Sequence, residues 1–273
     1  MSISAAEVMK LRKATGAGMM DCKQALTESN GDFDGAVQII REKGKAIANK
    51  RADRDASEGV VLAKVNGKKA GIIVLRCETD FVAKNEGFIK IAEQMLDTAL
   101  ASNVTDVEGA KALVMDGRTL ADHVIEQTGI IGEKLELGYY STIEAETVVA
   151  YIHPGNKLST LVGFNKAGFD FQVAKDVAMQ VAAMSPVAID KDDVPAKVVA
   201  TELEIAKERF RQEGKPEDML DKIAQGALAK FFKDSTLLNQ AFIKDNKMSI
   251  KDYLQSIEKG LTVTSFDRYA LSE

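Results

Sequence analysis

Cysteine is scarce in this chain of 273 residues. Only Cys22 and Cys77 occur, too few for a disulfide framework and suited to a reducing cytosol. Histidine is as rare, at His123 and His153, so no Cys/His metal-ligand spacing exists and a thiolate nucleophile finds no activating motif. Net positive charge is missing too. A formal charge of −5 and a pI of about 5.4 argue against a nucleic-acid binder that works through bulk charge, although a local basic patch stays open. No apolar run reaches the ~18 residues of a membrane span. Met1-Ser2-Ile3-Ser4 leads straight into a folded pattern without the regions of a signal peptide, so a soluble intracellular protein is expected. Walker and Rossmann glycine patterns are absent, and Gly16-Ala17-Gly18 lacks the preceding strand and the lysine of a phosphate loop. What remains is a chain built to bind rather than to react.

With 45% hydrophobic content the chain can bury sizeable cores and should divide into two or more domains. Residues 1–40 read as three short helices. Ser4 with Glu7 fits a capping box ahead of Val8 and Leu11, and Gly16-Ala17-Gly18 ends that helix. Met19, Cys22, Ala25 and Leu26 share one side of the second helix. Asn30-Gly31 turns the chain, and Asp32 caps a third helix with Phe33, Val37 and Ile40 inward. Of the exposed-looking pair Met19-Met20, one is expected in the core and one outside it, where a soft thioether could mould to a partner. Residues 41–56 turn basic through Lys43, Lys45, Lys50, Arg51 and Arg54 and lose the apolar stripe. They read as a solvated helical linker, with an RNA-contacting arm as the sharper alternative.

A design then repeats. Val60 to Val65, the turn Asn66-Gly67 and the run Gly71 to Cys77 make a β-hairpin, followed by a helix with Phe88, Ile91, Ala92, Met95, Leu96 and Ala99 on one face. Val148 to His153, the turn Pro154-Gly155-Asn156 and Leu158 to Phe164 make a second hairpin. Its helix carries Ala174, Val177, Ala178, Val181 and Ala182. A shift of 86 positions lays Ile91 on Val177, Ala92 on Ala178 and Met95 on Val181. The expected fold class is therefore α+β with a duplicated hairpin-plus-helix core. Between the copies, Thr119 and Asp122 open a helix, and Leu135 to Ile143 is extended. Residues 57–143 are assigned to the first core subdomain, 144–186 with 233–248 to the second. Within 187–232, Val199, Leu203, Ala206 and Phe210, then Leu220, Ile223, Ala227 and Phe231 flank the turn Gly214-Lys215-Pro216. Stripes so narrow describe a projecting antiparallel helical hairpin. Residues 249–273 offer a short helix from Ser249 and a final β-like run.

Between the strand ending at Cys77 and the helix capped by Asn85 lies Thr79-Asp80-Phe81-Val82, a loop held by two rigid elements. Phe81 and Val82 belong to no periodic pattern. On residue physics alone the favoured reading is that Phe81 plugs the local core; the other is that its ring is kept for another molecule.

Two stretches carry a resemblance. Thr15-Gly16-Ala17-Gly18-Met19-Met20-Asp21-Cys22-Lys23-Gln24-Ala25-Leu26 and Thr79-Asp80-Phe81-Val82-Ala83-Lys84 closely resemble the two signatures of the bacterial elongation factor Ts family, and the likeness extends along the whole chain. It implies a UBA-like amino-terminal module, a coiled-coil insertion, and a translation factor of the cytoplasm that exchanges GDP for GTP on the GTPase elongation factor Tu. No enzyme with covalent catalysis is implied, nor any cofactor, metal or membrane, nor direct binding of nucleotide or nucleic acid. Asp80 and Phe81 would intrude near the partner's Mg²⁺ site, framed by Thr79 and Val82. Leu11, Met19 and Met20, together with Ile131, His153 and Ile243, would be further contacts. Beside Ile243, Lys244 departs from the apolar residue of the family pattern, and Pro154-Gly155 departs after His153. Some members assemble with Tu as a 2:2 complex. A non-catalytic helical adaptor or scaffold is the alternative function.

Overall fold

The computed structural model describes residues 3–272 and shows a mixed α and β protein in two compact units. One takes the chain up to Leu62 together with Ile73–Ser141, the other Ala63–Ile72 together with Thr142–Ala270. The first unit opens with helices α1 (Ala5–Thr15), α2 (Met19–Glu28) and α3 (Phe33–Lys50). Local chemistry sets their limits. The Ser4 hydroxyl accepts from Glu7 N while the Glu7 carboxylate accepts from Ser4 N at 2.8 Å, and Gly16 closes α1 in the left-handed conformation at φ +71°. Asp32 caps α3 through Gly35 N at 2.9 Å. Val8, Leu11, Cys22, Ala25, Leu26, Ala36 and Ile40 form one small core.

Helix α3 does not stop at Ile40. It runs to Lys50 and buries Gly44, where the sequence suggested a linker without an inward face. The reason is a partner with no side chain. Gly44 lies against Gly129 of α7 (Leu120–Ile131), and an added Cβ on Gly44 would still stand 3.7 Å from the Gly129 Cα. Burial through two glycines leaves no apolar periodicity to read.

A sheet of order β1-β2-β5 is built from β1 (Glu58–Asn66), β2 (Lys69–Cys77) and β5 (Glu136–Glu144), of which the parts up to Leu62, from Ile73 and up to Ser141 belong to this unit. After β2 come α4 (Asp80–Ala83), α5 (Glu86–Leu100), α6 (Val107–Ala112) and a small ladder of β3 (Val114–Met115) with β4 (Arg118–Thr119). The apolar face of α5, with Phe88, Ala92, Met95, Leu96 and Ala99, meets Val60, Leu62, Ile73 and Leu75 of the sheet. Asn85 caps α5 by accepting from Gly87 N at 2.8 Å and Phe88 N at 3.3 Å, and Thr119 caps α7, as their positions suggested.

The second unit repeats this plan. Its sheet has the order β10-β7-β6, from β6 (Thr147–Ile152), β7 (Leu158–Phe164) and β10 (Val263–Ala270). Both pairings are antiparallel, with Thr147 and Val263 each opposite Phe164. Helix α8 (Phe171–Met184) covers it with Val173, Ala174, Val177, Ala178 and Val181. The repeat thus includes a third strand in each unit, contributed by a late segment beside the hairpin's second strand. Helices α9 (Ala196–Gln212) and α10 (Glu217–Ser235) lie antiparallel around a four-residue turn, tied by Lys207–Asp221 at 2.8 Å and Arg211–Glu217 at 2.6 Å. Among their residues only Ala206, Leu220, Ala224 and Leu228 are buried. A small ladder of β8 (Ala241–Phe242) and β9 (Asp245–Ser249) and helix α11 (Ile250–Ile257) complete the unit, with Ser249 as cap.

Candidate functional site

The corner between β2 and α5 is not an open loop. Thr79 caps a single helical turn, α4, by accepting from Val82 N at 3.4 Å. The turn is four residues long, and Phe81 stands out from it with 82% of its surface exposed. The expectation that Phe81 plugs the local core is therefore wrong. Ala83 and Phe88 fill that space, and the ring is left to solvent. Val82 is half-buried and packs against the core of this unit, so of the two apolar residues only Phe81 is displayed. Asp80 is half-buried and receives Lys84 Nζ at 2.6 Å across one turn.

What holds the turn comes from 54 residues away. Glu133, just after the left-handed C-cap Gly132 of α7, accepts from Thr79 N at 3.0 Å and from Thr79 Oγ1 at 2.7 Å. The neighbouring pair is crossed the other way: Glu78 accepts from Lys134 N at 2.6 Å and from Arg51 Nη1 at 2.7 Å. These bonds hold the Glu78 carboxyl below its ordinary value of 4.5, the Lys134 amide first and the Arg51 guanidinium after it, against the opposing effect of burial. Lys134 Nζ also donates to the Ala52 and Arg54 carbonyls at 2.9 and 2.8 Å.

Cys77 closes the base of the corner. Its buried Sγ donates to the Thr79 carbonyl at 3.2 Å. Burial, then the negative charges of Glu133 and Glu58, push the thiol up to about 12. A thiol so placed stays protonated near neutrality and acts as a hydrogen-bond donor, not as a nucleophile.

The other residues singled out in the sequence distribute unevenly. Leu11 is 0% exposed in the three-helix core, so its side chain offers no contact surface. Both methionines of the Met19-Met20 pair are outside, at 39% and 76% exposure, correcting the expectation that one is core; Cys22, Ala25 and Leu26 already fill that face of α2. Ile131 is half-buried at the end of α7, two residues before Glu133, and packs on the core that holds the Phe81 corner. In the second unit His153 is exposed after β6, with Nδ1 3.0 Å from Tyr151 Oη. Ile243 is exposed, and its N–H donates to the buried Gln180 side chain at 2.9 Å. The unexpected Lys244 has its own partner: Nζ reaches Asp176, a buried carboxylate, at 2.7 Å. The sequence pointed to Ile131 but not to Glu133 two residues on, whose bonds to Thr79 need the contact across the fold.

Comparison with known proteins bears on this arrangement. Residues 78–273 match the family described as Elongation factor TS. Over 273 aligned residues the chain is 54% identical to the elongation factor Ts of Christiangramia forsetii, covering 98% of each chain. It is 50% identical to that of Porphyromonas gingivalis, over 100% of this chain and 99% of the relative. It is 48% identical to that of Azobacteroides pseudotrichonymphae, with the same coverage.

Proposed function

The chain belongs to the elongation factor Ts family and is a translation elongation factor, and from that premise we propose that it drives GDP off the GTPase elongation factor Tu by means of the displayed ring of Phe81. The observation that carries this reading is the exposure of a large aromatic side chain on a turn whose other apolar residues, Val82 and Ala83, pack against the core. A buried ring needs no partner; an exposed one on a rigid mount is a contact in waiting.

The chemistry asked of the corner is non-covalent. GDP on such a GTPase is held by loop amides and by Mg²⁺ that bridges its phosphate to protein oxygens. Phe81, with Asp80 beside it, enters between helices of the partner and moves the groups that coordinate the ion. Thr79 and Val82 set the position from which it enters. Once coordination weakens, phosphate charge is no longer neutralised and GDP leaves. Coupling is reciprocal: the factor by which this protein lowers the affinity for GDP is the factor by which GDP lowers the affinity for this protein, and incoming nucleotide therefore expels it. No bond is made or broken in the factor, which is an exchange factor and not a covalent catalyst.

Further surface is available for the same partner. Met19 and Met20 extend the contact from the three-helix module, which is UBA-like in this reading, and Ile131 does so from the first unit's core. His153 and Ile243 serve from the second unit. The α9–α10 pair is a coiled coil, and the protein works in the cytoplasm. The test is stopped-flow release of fluorescent GDP from elongation factor Tu. Phe81→Ala is expected to slow stimulated release about tenfold, the equivalent of ~1.4 kcal/mol of lost barrier reduction, with circular dichroism and melting unchanged. Release at the native rate would remove the proposal.

A further inference from the structure

A turn of four residues cannot hold its own direction. Its backbone bonds, Ala83 N to Thr79 O at 3.2 Å, Lys84 N to Asp80 O at 3.0 Å and Asn85 N to Val82 O at 3.0 Å, amount to little more than one helical nucleus, which is unfavourable in isolation. The aim of Phe81 must therefore be set from outside the turn. Thr79 is where this happens. Its N–H and its hydroxyl both donate to the Glu133 carboxylate, its carbonyl accepts from Cys77 Sγ, and its hydroxyl oxygen accepts from Val82 N. Of these partners only Glu133 is distant in sequence, and only Glu133 makes two bonds, both assisted by its charge.

We propose that Glu133 is the positioning residue for Phe81: its two-pronged grip on Thr79 fixes the direction in which the ring is offered to the partner GTPase. The inference rests on the reading of Phe81 given above but makes a separate claim about the free protein. Glu133 never meets the partner's nucleotide site in this account. It acts through Thr79, and a misplacement of the ring by about an ångström is enough to lose most of its effect. The crossed bond from Lys134 N to Glu78, itself held by Arg51 at the end of α3, keeps the segment that carries Glu133 in register with the strand end that carries Thr79.

The chain contains no tryptophan, so Phe81→Trp installs a single reporter at the ring itself. In the free Phe81→Trp protein, time-resolved anisotropy should show a largely immobilised indole. Adding Glu133→Ala should raise the amplitude of fast local motion about twofold or more, while Glu133→Gln, which keeps an acceptor of the same shape, should fall between. In the native Phe81 background, Glu133→Ala should lower the maximal rate of stimulated GDP release about fivefold, leaving the half-saturating concentration within about twofold. In a Phe81→Ala background the same substitution should add less than about twofold, because no ring is left to aim. An indole equally ordered with and without Glu133 would overturn the proposal. So would a loss of release that is additive with Phe81→Ala, or one confined to the half-saturating concentration. If Phe81→Ala alone leaves release intact, the functional reading falls, and the anisotropy of the free protein still decides whether Glu133 holds the turn.

Discussion

The two halves of the repeated plan turn the same corner and treat an aromatic ring in opposite ways. In the first unit, β2 hands over to α5 through residues 78–85, and Phe81 faces out. In the second, β7 hands over to α8 through residues 165–170, and Phe169 folds back onto Phe164, edge to face at 5.2 Å, as part of the core. The second corner is fastened by neighbours of its own: Asn165 Nδ2 donates to the Gly260 carbonyl at 2.8 Å, and Lys166 Nζ to Glu258 at 2.7 Å. Both corners are therefore stiff. What differs is the purpose of the stiffness: one corner seals a core, the other displays a ring. Rigidity alone does not set the two corners apart; the apolar surface that one of them holds in water does.

Exchanging the roles of the two rings should produce the largest effect. Phe169→Ala is expected to cost about 2–3 kcal/mol in urea unfolding, below the range for fully buried rings because Phe169 is half-covered, while Phe81→Ala should cost less than about 0.5 kcal/mol. Equal costs would erase the contrast. Next comes the frame behind the displayed ring. A Cβ at Gly129 would run into the Gly44 Cα, so Gly129→Ala should destabilise by about 2 kcal/mol, whereas Gly44→Ala, which meets only ordinary contacts, should be nearly neutral. Thermal melts of the two variants would show it.

The caps should sharpen the comparison by agreeing. Asn85→Ala and Asp170→Ala each remove one first-turn acceptor and should each cost about 1 kcal/mol, since the corners differ in the ring and not in how the following helix begins. The smallest effect is a pH response. The Glu78 carboxyl is depressed below 4.5 in the folded protein, so its contribution is complete above that value and is lost as pH falls through the lower folded one. Acid titration of stability should show Glu78→Gln losing this dependence below 4.5 and only there. A difference appearing near neutrality would mean that another group is responsible.

Much of this is legible in the sequence wherever the cause is local. Ser4, Asp32, Asn85, Thr119 and Ser249 announce their helices because a capping side chain acts within three residues. The faces of α5 and α8 are legible because one period buries one side. The failures share the opposite property. Phe81 sits on a helix too short to have a period, so nothing in its spacing says which way it points. Gly44 is buried against Gly129 with no side chain between them, which looks like a break rather than a contact. Glu133 reaches Thr79 across 54 residues, a distance over which a single sequence carries no record of pairing.

The α9–α10 pair has one more consequence. The chain leaves for it and returns from it at a single point, where Val187 N donates to the Ser235 carbonyl at 2.8 Å and Leu237 N to the Ala188 carbonyl at 2.9 Å. A parallel bridge joins Ala188 to Thr236 at the same place. With its two ends already stapled together, the excursion is free to lengthen, shorten or disappear in evolution, while the unit it departs from need not register the change.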